Sequence, residues 1–212
     1  MDTPPVLLAD RLSFGWPGRA LFQELSFNIP PGVSLIRGDD GCGKSTLLGL
    51  IAGDLQAQGG TLSVHGVRLD QQHDAYRQQV FWIDPQTEAH DAISAAGYLD
   101  SLSHHYPAFS RAALTELVEG FTLQPHLDKP LYMLSAGSKR KVWLSAAFAA
   151  GTALTLIDQP FAALDAPSIR FLLELLQEAA GHPSRAWVLA DYQAPEGVPL
   201  ARVLTLGETP GG

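Results

Sequence analysis

The stretch GDDGCGKST, Gly38 to Thr46, constrains this chain more than any other. It follows a short apolar run, VSLIRG, and leads into KSTLLGLIAG, which reads as a helix stopped at Gly53. A strand, a glycine-rich loop and a helix with the spacing G-x-x-x-x-G-K-[ST] form a cradle for phosphate. Glycines let the loop bend until successive N–H groups face inward, and the helix adds the positive end of its dipole. Lys44 would reach the β and γ phosphates and Ser45 would take Mg²⁺. Gly38, Asp39, Asp40, Gly41, Cys42, Gly43 and Thr46 would surround the anion. Asp39 and Asp40 are odd neighbours for phosphate, so their side chains are expected to point outward. A glycine turn before a basic helix start is the plainer reading. A chance match in a chain of this size is on the order of one per cent, and the flanking strand and helix favour phosphate.

The remaining pattern describes an α/β nucleotide-binding core. Residues 6 to 37 alternate apolar and polar side chains between Pro/Gly turns, as β-strands do. GGTLSVHGVRL and QQVFWID read as further strands. From Pro85 to Met133 the character turns helical, with Ser110 as an N-cap and Leu114, Leu117, Val118 and Phe121 on one face. ALTLID is near-continuously apolar, as buried parallel strands are. APSIRFLLELLQEAAG starts a helix near Pro167 and ends it at Gly181. RAWVLADY and ARVLTLG complete the strands.

Composition excludes several classes. The 212 residues suit one domain with a small inserted lobe. A net charge of −8 argues against a nucleic-acid partner. The single cysteine, Cys42, cannot form an internal disulfide, which fits a reducing compartment. MDTPPVLLAD lacks a basic n-region and a long apolar stretch, so a signal peptide is not expected. The longest uncharged stretch, Val142 to Ile157, is 16 residues and too short for a membrane span. The seven histidines have no ligand-like spacing and are expected on the solvated surface.

LSAGSKRKVWLSAAFAA, residues 134 to 150, resembles the signature motif of the ATP-binding cassette (ABC) ATPases. A capped helix after a Ser-Gly turn would explain it alone, but it stands 23 residues before Asp158, as in that family. The resemblance runs from Trp16 to Tyr192 with every motif in family order. It implies a P-loop NTPase (RecA-like) core at about 1–85 and 151–212, with an N-terminal antiparallel β lobe and an inserted α-helical lobe at about 86–150. It also implies ATP and Mg²⁺ as ligands. Trp16 stands where an aromatic stacks on adenine, with Phe14 the alternative. Gln86 matches the glutamine that reaches metal and attacking water, and Asp158 the carboxylate that holds Mg²⁺. Ser135, Ala136 and Gly137 match the helix N-terminus that meets the γ-phosphate of a facing subunit, so a head-to-tail homodimer is implied. AALD, Ala162 to Asp165, matches the loop through which two subunits sense each other. Integral membrane subunits would carry the assembly on the cytoplasmic face of the inner membrane. LSAG with its basic residues, QPFAALD and WIDPQ look most like the ATP-binding subunits of cytochrome c maturation haem exporters.

The chain departs from the family at three positions. Ser138 replaces the last glutamine of the signature. Gln159 stands where the family has the glutamate that polarises water, and a carboxamide cannot accept the proton. After the strand RAWVLADY the family has a switch histidine; here the aligned residue is Tyr192, or Asp191 if the strand slips by one. The expectation is an ABC fold that binds ATP and hydrolyses it slowly or not at all, whether as a transport motor or as a non-hydrolysing regulatory module. A soluble ABC protein of translation or DNA repair would need a second cassette or long insertions, for which 212 residues leave no room.

Overall fold

The computed structural model describes residues 4–207. Two long strands, β1 (Leu7–Trp16) and β2 (Arg19–Ile29), pair antiparallel across a turn at Pro17 and Gly18. Their register shifts repeatedly, and Arg11 and Glu24 take positive φ there, which bends the ribbon. The next elements are β3 (Gly32–Arg37), α1 (Lys44–Ala52), β4 (Gly59–Val64), β5 (Val67–Arg68), α2 (His73–Arg77) and β6 (Val80–Phe81). Helices α3 (Ala95–His105), α4 (Arg111–Gly120) and α5 (Ala136–Ala149) then form the helical stretch. The chain returns through β7 (Leu154–Asp158), α6 (Ala166–Ala180), β8 (Ala186–Asp191) and β9 (Leu200–Thr205).

The strands divide between two sheets. One is antiparallel with order β2-β1-β4-β5; the other is parallel with order β6-β7-β8-β3-β9. The central strands of the parallel sheet alternate between two apolar cores, which is why their sequences are apolar throughout. Val33, Leu35, Ile157, Trp187 and Leu189 face α3 to α6. Ile36, Leu154, Leu156, Val188 and Ala190 face α1 and the antiparallel sheet.

Most local expectations hold. Ser110 caps α4, Gly53 ends α1 in the left-handed region, and Gly181 ends α6, whose first turn contains Pro167. Leu117, Val118 and Phe121 are buried on one face of α4, and Leu114 packs against the same cluster. QQVFWID is a correction: only Val80 and Phe81 pair, because β6 is an edge strand with β7 on one side alone. A second correction concerns the histidines. His90 packs on Tyr98 and His182 on Trp187, at 4.9 and 5.5 Å between ring centroids, so neither is a fully solvated side chain. Among the described residues no helix is long and apolar enough to cross a membrane.

Leu189 is fully buried at the middle of β8, with strands on both sides. Leu189→Ala is expected to cost about 2–5 kcal/mol, read as a lower urea midpoint at unchanged slope. Val203→Ala, on the exposed face of the edge strand β9, should change stability by no more than ~0.5 kcal/mol.

Candidate functional site

All strands of the parallel sheet end on one edge, and the loop after β3 turns there into α1. Gly43 caps α1 with φ +105, and a Cβ at that position would stand 3.0 Å from the Phe22 ring. Both facts require glycine. Lys44 is buried, and its Nζ donates to the carbonyls of Gly38 and Asp39 at 2.7 and 2.9 Å. Asp39 and Asp40 are exposed, so their carboxylates are solvated while their backbone belongs to the loop. Arg19, at the start of β2, donates to the Gly41 carbonyl at 2.7 Å and ties the β ribbon to the loop.

Asp158 closes β7 beside this loop. The Ser45 hydroxyl donates to its Oδ2 at 2.5 Å, while Oδ1 is buried without a hydrogen-bond partner. Burial pushes the Asp158 carboxyl above the usual carboxylate range, against the opposing pull of Ser45, Arg140 and Lys44. A buried carboxylate oxygen without a donor, next to a hydroxyl, is an oxygen donor set suited to a hard divalent cation. Ser45 and Asp158 would therefore hold Mg²⁺. The next residue, Gln159, takes φ +46 and is exposed, an uncommon conformation for a residue with a Cβ.

A cleft of about 300 Å³ is lined by Trp16, Arg19, Gly43, Lys44, Ser45, Thr46 and Gln159 among others. Trp16 is 48% exposed at its mouth, and the edge-to-face contact with Phe14, at 5.1 Å and 89°, props its ring. Phe14 itself is buried. The fold thus gathers an aromatic face, a buried ammonium, a hydroxyl–carboxylate pair and a carboxamide around one space. Such a set can stack a base, neutralise phosphates and hold a metal.

Other expected site residues lie apart from this cleft. Gln86 is exposed in the loop after β6, its N–H donating to Asp84, and does not line the cleft. Asp191 ends β8 buried, and its carboxylate accepts the Tyr192 N–H at 2.7 Å. Tyr192 is 66% exposed and lines a second cleft, of about 550 Å³, with Arg37, Cys42 and Thr205. Ser135 caps α5, accepting from the Ser138 N–H at 3.1 Å. Ala136 is exposed, and Gly137 is pressed against the 162–165 loop: a Cβ there would lie 2.4 Å from the Ala163 carbonyl oxygen. These three residues line neither cleft. Sequence reasoning missed Arg19 and Arg140. The Arg140 guanidinium donates to the Asp158 carbonyl at 2.6 Å. Arg140 stands in the basic run after LSAG, but nothing in its spacing indicates a contact with Asp158; Arg19 belongs to no motif.

A family described as ABC transporter matches residues 22–162. Among curated proteins, the cytochrome c biogenesis ATP-binding export protein CcmA of Pseudomonas savastanoi pv. phaseolicola is 32% identical, over 86% of this chain and 84% of its own length. The protein of that name from Pseudomonas putida is 36% identical over 69% of this chain and 70% of its own. Among solved structures, an ATP-binding subunit of an ABC transporter superposes with a TM-score of 0.77 at 27% identity, covering 88% of this chain and 79% of that one.

Asp165 caps α6 by accepting from the Ser168 N–H at 2.9 Å, and Lys141 donates to it at 2.7 Å. The Lys141 ammonium, then Ser168, hold the Asp165 carboxyl well below the usual range. A depressed carboxylate contributes stability that is complete above the unfolded value of about 4 and lost as pH falls toward the folded value. Asp165→Ala should cost about 1 kcal/mol at neutral pH and less as the solution is acidified through that window, read by thermal unfolding at a series of pH values.

Proposed function

The chain belongs to the ABC transporter family of ATP-binding subunits, and from that premise we propose that it binds Mg·ATP in the Trp16 cleft and hydrolyses it slowly or not at all. The observation that carries this reading is the convergence of Trp16, Lys44, Ser45 and Gln159 on one cleft beside Asp158. Trp16 stacks on the adenine, Lys44 leaves the Gly38 and Asp39 carbonyls for the phosphates, and Ser45 with Asp158 holds the metal. Mg²⁺, when bound there, screens phosphate charge. Gln86 is assigned to the same metal once its loop closes on the nucleotide.

Slow turnover follows from the groups at the edge. Gln159 reaches the cleft but its carboxamide cannot accept a proton from water. Tyr192 lies on the other side of the loop and carries no positive charge at neutral pH. A positioned general base is typically worth about 10²–10⁴ in rate.

We further assign a head-to-tail homodimer, in which Ser135, Ala136 and Gly137 of one copy close on the nucleotide of the other. Tyr132 and Met133, 66% and 60% exposed and separated from Ser135 by Leu134, support it, since exposed apolar groups near a polar cap suit a covered surface. The two copies would sit on the cytoplasmic face of the inner membrane through integral membrane subunits, with residues 86–150 as the lobe that meets them. Likeness to proteins named for cytochrome c biogenesis and export supports an export system of that kind; haem as its cargo is carried over from the resemblance of LSAG, QPFAALD and WIDPQ to the haem exporters. The alternative is a non-hydrolysing module that locks on ATP; retention of a stable ATP-bound dimer over many minutes favours it.

Purified chain should bind Mg·ATP with quenching of tryptophan fluorescence, and Trp16→Ala should weaken binding about tenfold. Steady-state turnover of Gln159→Glu should exceed that of the parent by at least about tenfold, within the span of a restored general base. Equal turnover in the two proteins would remove Gln159 as the block.

A further inference from the structure

The basic run that follows the signature motif has no role in the reading above. Lys139, Arg140 and Lys141 occupy successive positions early in α5, so they leave the helix about 100° apart. Each reaches a different loop. Lys139 donates to the Thr87 carbonyl at 3.2 Å and pairs with Asp91, in the segment after Gln86. Lys141 pairs with Asp165 at 2.7 Å, at the end of the AALD loop. Arg140 reaches inward, to the Asp158 carbonyl at 2.6 Å.

The Arg140 contact differs in kind from the other two. It is made to a carbonyl, and Arg140 forms no ion pair among the described residues. It fixes one end of the peptide unit between Asp158 and Gln159. The other end is fixed too, because the Gln159 N–H donates to the Ala190 carbonyl at 2.9 Å. That peptide sits between the residue whose carboxylate meets Ser45 and the residue held at φ +46. A left-handed non-glycine residue is disfavoured and persists only where its surroundings hold it. A charge-assisted hydrogen bond is about twice as strong as a neutral one and can supply much of that hold. Arg140 is half-buried and lines a small pocket with Pro85, Trp143, Leu156, Ile157 and Asp158 beneath the sheet edge.

We propose that Arg140 is a positioning residue: it clamps the Asp158–Gln159 peptide to α5, so that the placement of the helix capped by Ser135 sets the geometry of the metal-holding carboxylate and of Gln159. Lys139 and Lys141 carry the same helix's position to the two neighbouring loops. Movement of the Ser135 turn is thereby felt at three places in the same chain: the Asp158–Gln159 peptide beside the cleft, the segment after Gln86, and the end of the 162–165 loop. This rests on the reading of the Trp16 cleft as a Mg·ATP site.

The test is calorimetric titration of the full chain with ATP, once with excess Mg²⁺ and once with EDTA. Trp16 and Lys44 act in both conditions, whereas the Asp158 carboxylate contributes only with the metal. Arg140→Met keeps the stem and removes every donor; it should lower the ratio of the two affinities about tenfold while the EDTA value stays within about twofold. Arg140→Lys, whose ammonium keeps the charge and most of the reach, should recover at least about half of the lost ratio on a logarithmic scale. Amide hydrogen exchange at Gln159 should be faster in Arg140→Met than in the parent. If Arg140→Met fails to fold, Arg140→Gln serves in its place: its amide stops well short of the Asp158 carbonyl, it carries no charge, and the same fall in ratio is expected. An unchanged ratio, or equal losses in both conditions, would overturn the proposal. A parent that binds ATP in neither condition removes the cleft reading and the Arg140 proposal with it. A parent that binds ATP and keeps its Mg²⁺ ratio in the variants removes only the latter.

Discussion

Five strands running the same way put every C-terminal strand end on one edge, and the site depends on that constraint. Parallel pairing brings Arg37 beside Asp191 and Asp158 beside Ala190, so the loop after β3 and the carboxylate after β7 emerge as near neighbours. The Ser45–Asp158 hydrogen bond then joins them across 113 residues of sequence. Neither group could be placed so well from a flexible loop, because a ladder of backbone hydrogen bonds fixes each strand against its neighbours.

The segment after that edge is where local conformational preference is overridden. Gln159 and Ala163 both take positive φ, four residues apart. The Ala163 carbonyl rests on Gly137, where no Cβ would fit, and Asp165 binds both Ser168 and Lys141. The loop is thus held against the first turns of α5 by close backbone approach as well as by charge. Strain in such a segment is sustained by packing on both sides, as expected where geometry matters more than local stability.

Much of this was legible in the sequence, for identifiable reasons. Continuous apolar runs around Leu35, Leu156 and Leu189 reported strands buried on both faces, and the glycine spacing of Gly38 to Lys44 reported the tight loop that joins β3 to α1. Capping residues marked helix ends correctly at Ser110, Gly53 and Gly181. QQVFWID was the weaker strand, because its apolar residues face a core without pairing beyond Phe81. Tyr192 and Asp191 could not be told apart by sequence, since a slip of one residue exchanges inside for outside; the structure buries Asp191 and exposes Tyr192. Arg19 and Arg140 were invisible because each acts through a single contact to a distant carbonyl. No periodicity or motif encodes such a contact.

The alternation of the central strands has a further consequence. Strands β3, β7 and β8 each supply side chains to both cores, so the two cores share the middle of the parallel sheet, while β1, β2 and β4 serve the second core alone. Loss of one core removes packing from the other through those shared strands. Side chains of α3 to α6 share the first core with the sheet, so those helices are held to it by packing and any displacement of them is opposed by that whole cluster.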